Sequence, residues 1–383
     1  MKIALYTIFR CTNYGAALQA YALSRMLRRI GGEDSVDVIN HRMDPRDNHL
    51  LGKITNPNTP WFQRWRNKRK FSARYFCPDL FEARRAKTIR LIEEHIRPTA
   101  RLYKRPEEFR EIPTYSTVVV GSDQVWNPVL NHDFGMNQYL GECLPEEQDR
   151  VAYAASFGVS ELPTECVDVY RRALSRFRSI TVREESGARL CKELLGGESA
   201  TPVVLDPTML FTAEEWTDAV GRQVFAGGEY LAAYYVRGMT QNDIDAIARI
   251  ANGKGVPCRL MSAGPLPKLR FPENIVPFVD ADPFDFVRTV AGSMGVVTDS
   301  FHGLQFAVCF SKPVLPLCEL DGVNAKGTRL WDFCGRYLKS DVCANIEDFR
   351  RGGKFDLVSG FDLGKLALDR SASISLLKEI VRI

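Results

Sequence analysis

The sequence predicts an α/β protein of two Rossmann-like domains facing a central cleft, with a basic helical insertion in the first domain. Three observations carry this. The chain has 383 residues, most simply two domains at roughly 100–200 residues each. Short apolar runs alternate with helical periodicity in both halves, the order of parallel strands with crossover helices. Several of those runs end in a polar cluster, where open α/β sheets place their ligands. Apolar residues make up 45% and charged residues 26% of the chain. Those ordinary values argue against a disordered, fibrous or disulfide-stapled protein.

Met1-Lys2 leads straight into Ile3-Ala4-Leu5-Tyr6, without the cationic stretch and cleavage site of a secretory leader. The run 2–8 is read as the first strand. A helical pattern through Leu18, Tyr21 and Met26 stops at Gly31-Gly32. Residues 36–39 are the second strand, and about 61–112 form the basic insertion. Residues 116–120 are a buried strand opening into Gly121-Ser122-Asp123-Gln124. A strand from 150 ends at Ala155-Ser156-Phe157-Gly158. Helices are expected over 164–177 and 185–195, with a strand over 180–183 between them. The first domain is set at 1–205 and the second at 206–383. The second holds a strand over 230–236, a helix over 242–252 closed by Gly253, and a strand over 258–261. A helix over 283–292 and a strand over 295–298 run into Asp299-Ser300-Phe301-His302-Gly303. A helix over 304–310, a strand over 313–317 and an amphipathic helix over 363–381 complete it. That last helix is expected to pack back on the first domain.

Net charge is +4, too little for a nucleic-acid binder, so no nucleic-acid partner is expected. The charge is uneven. From Trp61 to Arg90 ten basic residues face two acidic ones. That segment carries +8, so the remainder sums to −4. Trp61, Phe62, Trp65, Phe71, Tyr75 and Phe76 are interleaved. Such a helix either lies on an anionic membrane or phosphorylated ligand, or turns its aromatics into the core. No apolar run nears the ~18 residues of a membrane span. The ten cysteines form no C-x-x-C pair, the pattern of free thiols in a reducing cytoplasm. The five histidines lack metal-ligand spacing, so no metal is expected.

The first turn lacks G-x-G-x-x-G, and no Walker A sequence occurs, which argues against NAD, FAD and ATP. Asn13-Tyr14-Gly15 is either a capping turn or a site for an anion or sugar hydroxyl. His302 sits at the carboxyl edge of a very apolar strand, beside Ser300, which donates a hydrogen bond or caps the helix. Arg183, at another strand end, either grips a carboxylate or phosphate or pairs with Glu184-Glu185. Lys326 and Arg329, in the loop Lys326-Gly327-Thr328-Arg329, read as an anion clamp.

Five stretches then occur in order: Gly121-Ser122-Asp123-Gln124-Val125-Trp126-Asn127-Pro128, Tyr153-Ala154-Ala155-Ser156-Phe157-Gly158, Val182-Arg183-Glu184-Glu185-Ser186-Gly187, Leu205-Asp206-Pro207-Thr208 and Thr298-Asp299-Ser300-Phe301-His302-Gly303. Together they resemble the polysaccharide pyruvyl transferase family. The resemblance runs from Ile3 to about Leu338 and implies a GT-B-like fold. It implies transfer of the enolpyruvyl carbons of phosphoenolpyruvate onto two hydroxyls of one sugar, as a ketal with release of phosphate. The implied acceptor is a cell-surface glycan or its lipid-linked oligosaccharide precursor. Arg183 matches an arginine proposed in the family to hold the donor, and His302 a histidine of the second half. Some members carry arginine two positions before that histidine. Ser300 stands there in this chain, which shifts the expected charge neutralisation to Arg329 or Lys326.

On this reading His302 is the general acid and base, since an imidazole exchanges protons near neutral pH. The donor-binding set is Arg183, Ser300, Lys326 and Arg329. The acceptor-binding set is Asn13, Asp123, Gln124 and Trp126, with Asp123 alternatively fixing its loop and Trp126 alternatively in the core. Loss of Arg183 then raises the donor KM and loss of His302 lowers kcat. Both variants stay folded if the side chains point into a cleft. No cofactor is expected. The location is cytoplasmic, with peripheral contact at the inner membrane surface. The rivals are a GT-B-type glycosyltransferase using a nucleotide sugar and a noncatalytic glycan-binding protein.

Overall fold

The computed structural model describes residues 2–41, 60–129, 138–197, 200–221, 229–319, 328–338 and 342–382. Strands β1 (Ile3–Tyr6), β2 (Val36–Val38), β3 (Thr117–Val120), β4 (Arg150–Ala155) and β5 (Ser179–Val182) form one parallel sheet in the order β2-β1-β3-β4-β5. Leu5 is in register with Val38 on one side and Val119 on the other. Every residue of β1, β3 and β4 is buried. Burial on both faces is why these runs read as nearly continuous apolar stretches without alternation.

Strands β6 (Leu231–Tyr235), β7 (Cys258–Ser262), β8 (Ile275–Pro277), β9 (Gly295–Thr298), β10 (Val314–Cys318) and β11 (Ala344–Asn345) form the second parallel sheet, ordered β11-β10-β9-β6-β7-β8. Each sheet reverses its winding once, at β1/β3 and at β6/β9. Ligands of open α/β sheets bind in the crevice at that point, outside the strands' carboxyl ends. The predicted α/β architecture of two Rossmann-like, GT-B-like halves is present.

The helices are α1 (Tyr14–Gly31), α2 (Trp61–Arg74), α3 (Pro78–Ile96), α4 (Val167–Leu174), α5 (Glu185–Leu195), α6 (Ala213–Val220), α7 (Gln241–Lys254), α8 (Pro283–Gly292), α9 (Phe301–Cys309), α10 (Thr328–Tyr337), α11 (Ile346–Arg350) and α12 (Leu363–Val381). Four differ instructively from expectation. Helix α7 runs past Gly253 and is closed by Gly255, whose φ of +68° suits the left-handed cap. Helix α9 starts at Phe301, three residues early, because the Ser300 hydroxyl accepts from the Gly303 N–H. Arg329 is on the first turn of α10 rather than in a loop. Helix α6 was not foreseen, although Thr212 and Glu215 form a capping box, a pattern visible in sequence.

The halves share one apolar core. Tyr14 stacks on both Tyr234 and Phe286, at 5.3 and 5.4 Å between centroids. Arg84 of α3 straps the junction. Its Nη1 donates to the Tyr14 hydroxyl (2.9 Å) and the Ser262 carbonyl (2.7 Å), and its Nη2 to the Ala263 carbonyl (2.8 Å). Helices α2 and α3 lean on the second sheet. The Phe76 N–H donates to Leu266, and the Lys268 N–H to Arg74. From α12, the Ser373 hydroxyl accepts from the Leu205 N–H (3.0 Å), and the Ile380 carbonyl from Arg178 (2.8 Å). None of the ten cysteines is in a disulfide. No helix among the described residues is long and apolar enough to cross a membrane.

Candidate active site

The two switch points meet. The chain leaving β1 reaches Asn13, whose Oδ1 caps α1 by accepting from the N–H groups of Gly15 (3.0 Å) and Ala16 (3.4 Å). The same oxygen accepts from the Tyr234 hydroxyl of the second half at 3.3 Å. Opposite, β9 leads into Asp299, which accepts from the N–H groups of Val236 (2.7 Å) and Arg237 (3.1 Å) and so ties the ends of β6 and β9 together. Burial pushes the Asp299 carboxyl up to about 6. His302, in the first turn of α9, lies against the backbone of Gly15.

That contact has no room for a side chain. A Cβ on Gly15 would stand 2.1 Å from His302 Nδ1. Gly15→Ala is therefore expected to displace the imidazole. The overpacking costs about 1–3 kcal/mol, readable as a lowered denaturation midpoint together with lost activity. An unchanged midpoint with full activity would show that α1 and α9 simply spread.

Arg183 follows β5 and is wholly buried. Its Nη1 donates to Asp206 Oδ2 at 2.7 Å and its Nη2 to Asp123 Oδ1 at 3.0 Å. Its Nε lies 3.6 Å from Glu184 Oε2. Burial alone would lower its pKa, but Asp123, Asp206 and Glu184 outweigh burial and hold it above the ordinary value. Asp206 Oδ2 also lies 3.4 Å from His302 Nε2, an ion-pair separation longer than a good hydrogen bond. Asp206 Oδ1 accepts from the N–H and hydroxyl of Thr208. Burial works against this carboxylate. His302 and Arg183 overcome it and hold Asp206 well below the usual range. Asp123, in left-handed backbone at φ +69°, is likewise held low, with Arg183 the main force against burial.

Arg329 completes the cluster. With the Gln124 amide turned so that its oxygen faces the guanidinium, that oxygen accepts from Nη1 and Nη2 at 3.0 and 2.9 Å. No carboxylate lies within ion-pair distance of Arg329 among the described residues. Burial, then the charge of Arg183, pushes its pKa down to about 10. The guanidiniums of Arg183 and Arg329 lie 5.0 and 5.8 Å from the centre of the Phe301 ring. A cavity of about 820 Å³ adjoins them, lined in part by Asp206, Phe301, Trp331 and Lys365.

His302, Arg183, Asp123, Gln124 and Arg329 thus come together, with Asn13 one turn away through Gly15. Arg183 is not a free donor anchor, since three carboxylates occupy its guanidinium. Ser300 is engaged as a helix cap. Trp126 does not reach the cleft. It is fully buried, donates from Nε1 to the Tyr139 carbonyl at 3.1 Å, and packs on Phe157 and Phe177. Lys326 lies outside the described residues. Asp206, Glu184 and Phe301 were not among the expected site residues. The signal for Asp206 was Asp-Pro-Thr at the predicted domain boundary, an acidic cap before proline.

All five sequence stretches interlock here. The Ser156 N–H donates to the Asp123 carbonyl (3.0 Å), and the Phe157 N–H donates to Glu184 Oε1 (3.1 Å). Asp123, Arg183, Asp206 and His302 supply the charges. Among the described residues no group of three or more His, Cys, Asp or Glu side chains is gathered to hold a metal ion.

Comparison with solved structures finds loose likenesses. A UDP-GlcNAc 2-epimerase from Methanocaldococcus jannaschii is 12% identical over 99% of both chains, with a TM-score of 0.49. One from Neisseria meningitidis bound to UDP-GlcNAc is 10% identical over 99% of this chain and 100% of that one, with a TM-score of 0.45. An E. coli heptosyltransferase with ADP is 12% identical over 85% of this chain and 90% of that one, with a TM-score of 0.36. No curated protein matches. The family model for polysaccharide pyruvyl transferase matches residues 13–317, well over half of the chain and spanning Asp123, Arg183, Asp206 and His302, with Arg329 beyond its end. The chain belongs to the polysaccharide pyruvyl transferase family.

Proposed function

We propose that the protein moves the pyruvyl carbons of phosphoenolpyruvate onto two hydroxyls of one sugar, in a cell-surface glycan or its lipid-linked precursor. The supporting observation is the meeting of all five family stretches at the His302–Asp206–Arg183 cluster, where the two switch points face each other. A proton goes to the methylene carbon of the donor, which becomes a methyl group. A sugar hydroxyl bonds to C2, the C2–O bond to phosphate breaks, and the second hydroxyl closes the ketal. The two hydroxyl protons balance the new methyl hydrogen and the protonated phosphate.

His302 gives and takes the proton, with the Asp206 carboxylate 3.4 Å from its Nε2. Arg183 serves the reaction indirectly, by fixing Asp206 and Asp123. Arg329, which hydrogen-bonds a neutral amide and has no carboxylate within ion-pair distance among the described residues, anchors an anionic group of the donor. No metal or cofactor enters this scheme, and the reaction belongs in the cytoplasm.

The test is phosphate release from phosphoenolpyruvate with a panel of lipid-linked glycans, with product masses measured. Phosphate release with a pyruvyl mass gain is expected. Arg329→Ala should raise the donor KM about 10- to 100-fold, the range of one charged hydrogen bond. Turnover of a nucleotide sugar with release of a nucleoside diphosphate, and none of phosphoenolpyruvate, would replace this reading by a glycosyltransferase.

A further inference from the structure

Helix α2 carries an exposed aromatic ridge. Trp61 is 78% exposed, Phe62 52% and Trp65 58%. At about 100° per residue these three share one sector of the helix. Phe71 points elsewhere, is buried, and joins Phe81 in the core beneath the second sheet. The expectation that the aromatics complete the core therefore holds for Phe71, with Tyr75 and Phe76 packed against it, and fails for Trp61, Phe62 and Trp65.

The charge around the ridge has one sign. Arg64, Arg66, Lys68, Arg69, Lys70 and Arg74 lie on α2, which has no acidic residue. Arg69 sits over the Trp65 ring at 4.9 Å. Lys68 reaches Asp79 at 3.2 Å, a solvent-exposed pair that competes weakly with another anion. Tryptophan and phenylalanine flanked by lysine and arginine on a surface helix have the composition of an interfacial helix. Its rings enter the boundary between headgroups and acyl chains, while the cations meet phosphates.

We propose that α2 docks the protein on an anionic membrane surface, with Trp61, Phe62 and Trp65 inserted and the cations that flank this ridge facing lipid phosphates. Charge complementarity selects this occupant. A soluble anion would leave the aromatics in water, and a partner built on apolar contact alone would leave the cations unused. The inference does not depend on the chemistry proposed above. It also gives a protein without a spanning helix among its described residues a way to reach an acceptor held by a lipid.

The full chain is mixed with phosphatidylcholine vesicles, with and without phosphatidylglycerol, and followed by co-sedimentation and tryptophan emission. Binding is expected only to the anionic vesicles, weakening with added salt, with a blue shift as Trp61 and Trp65 leave water. Changing Arg66, Lys68, Arg69 and Lys70 to Gln should weaken partitioning about fivefold for each charge engaged. Changing Trp61, Phe62 and Trp65 to Ala should abolish both the binding and the blue shift. These side chains are exposed, so thermal denaturation should be unchanged in both variants. No binding to anionic vesicles at low salt overturns the proposal, as does binding that survives in both variants. A concentration-dependent dimer lost in the aromatic variant, with vesicles untouched, also overturns it and assigns the ridge to a second copy of the chain.

Discussion

Arg183→Ala is expected to cost about 3–5 kcal/mol of folding stability, the range seen when one partner of a buried ion pair is removed. That is a large part of the ~5–15 kcal/mol that holds an ordinary domain together. Without the guanidinium, Asp123, Asp206 and Glu184 face one another as buried carboxylates that have lost their shared cation. This replaces the simple expectation of a folded variant with a raised donor KM. The pH dependence has a definite sign. In the native protein Asp206 and Asp123 titrate below the usual carboxylate range. Their stabilisation is therefore present above the unfolded-state value and is lost as pH falls through the low folded values. In the variant Asp123 loses the main cation that opposes its burial, and Asp206 loses Arg183 while keeping His302, so both groups rise relative to the native protein. The penalty should be largest at neutral pH and shrink as pH falls through the carboxylate range. Urea denaturation of both proteins across pH measures this. A native midpoint for the variant at neutral pH would refute it. Arg183→Lys should restore only part of the loss, because an ammonium does not span two carboxylates in a fixed fork.

His302→Ala should reduce kcat by about 10²–10⁴, the usual worth of positioned proton transfer, while leaving the fold in place. Folding survives because Arg183 still neutralises Asp206 from the other side at 2.7 Å. A control separates chemistry from packing. Gly15→Ala harms the native protein chiefly by striking the imidazole, so in the His302→Ala background, where only the Cβ of residue 302 stays 2.6 Å from the added methyl, its penalty should shrink without vanishing. Residues in direct contact are expected to couple in this way. Full kcat in His302→Ala would remove the histidine from the mechanism. Additive penalties in the double variant would remove the Gly15 contact from the explanation.

The parallel strands were legible because strands buried on both faces leave continuous apolar runs, as in Val118-Val119-Val120. The polar loops at their ends were legible for the same reason, since each interrupts such a run. The charge cluster was not. The chain shows Arg183 beside Glu184, but the guanidinium's short contacts go to Asp206 and Asp123, which only sheet order and the left-handed turn at Asp123 bring near. Trp126 misled because a ring beside polar residues suggests a sugar platform. Its fate is set by Tyr139, Phe157 and Phe177, which are distant in sequence. Trp61, Phe62 and Trp65 had the right spacing for a buried helix face. Spacing fixes which residues share a face and is silent on whether that face looks inward.

Arg84 bears on how the molecule moves. A wide hinge between the halves would tear its guanidinium from Ser262 and Ala263, and would unstack Tyr14 from Tyr234 and Phe286. Charged hydrogen bonds of this kind are worth roughly 1.5–3 kcal/mol each, so gaping excursions are rare. The halves behave as a riveted shell with a slot. Reactants are then expected to pass through the slot's mouth instead of being admitted by a swing of one lobe against the other.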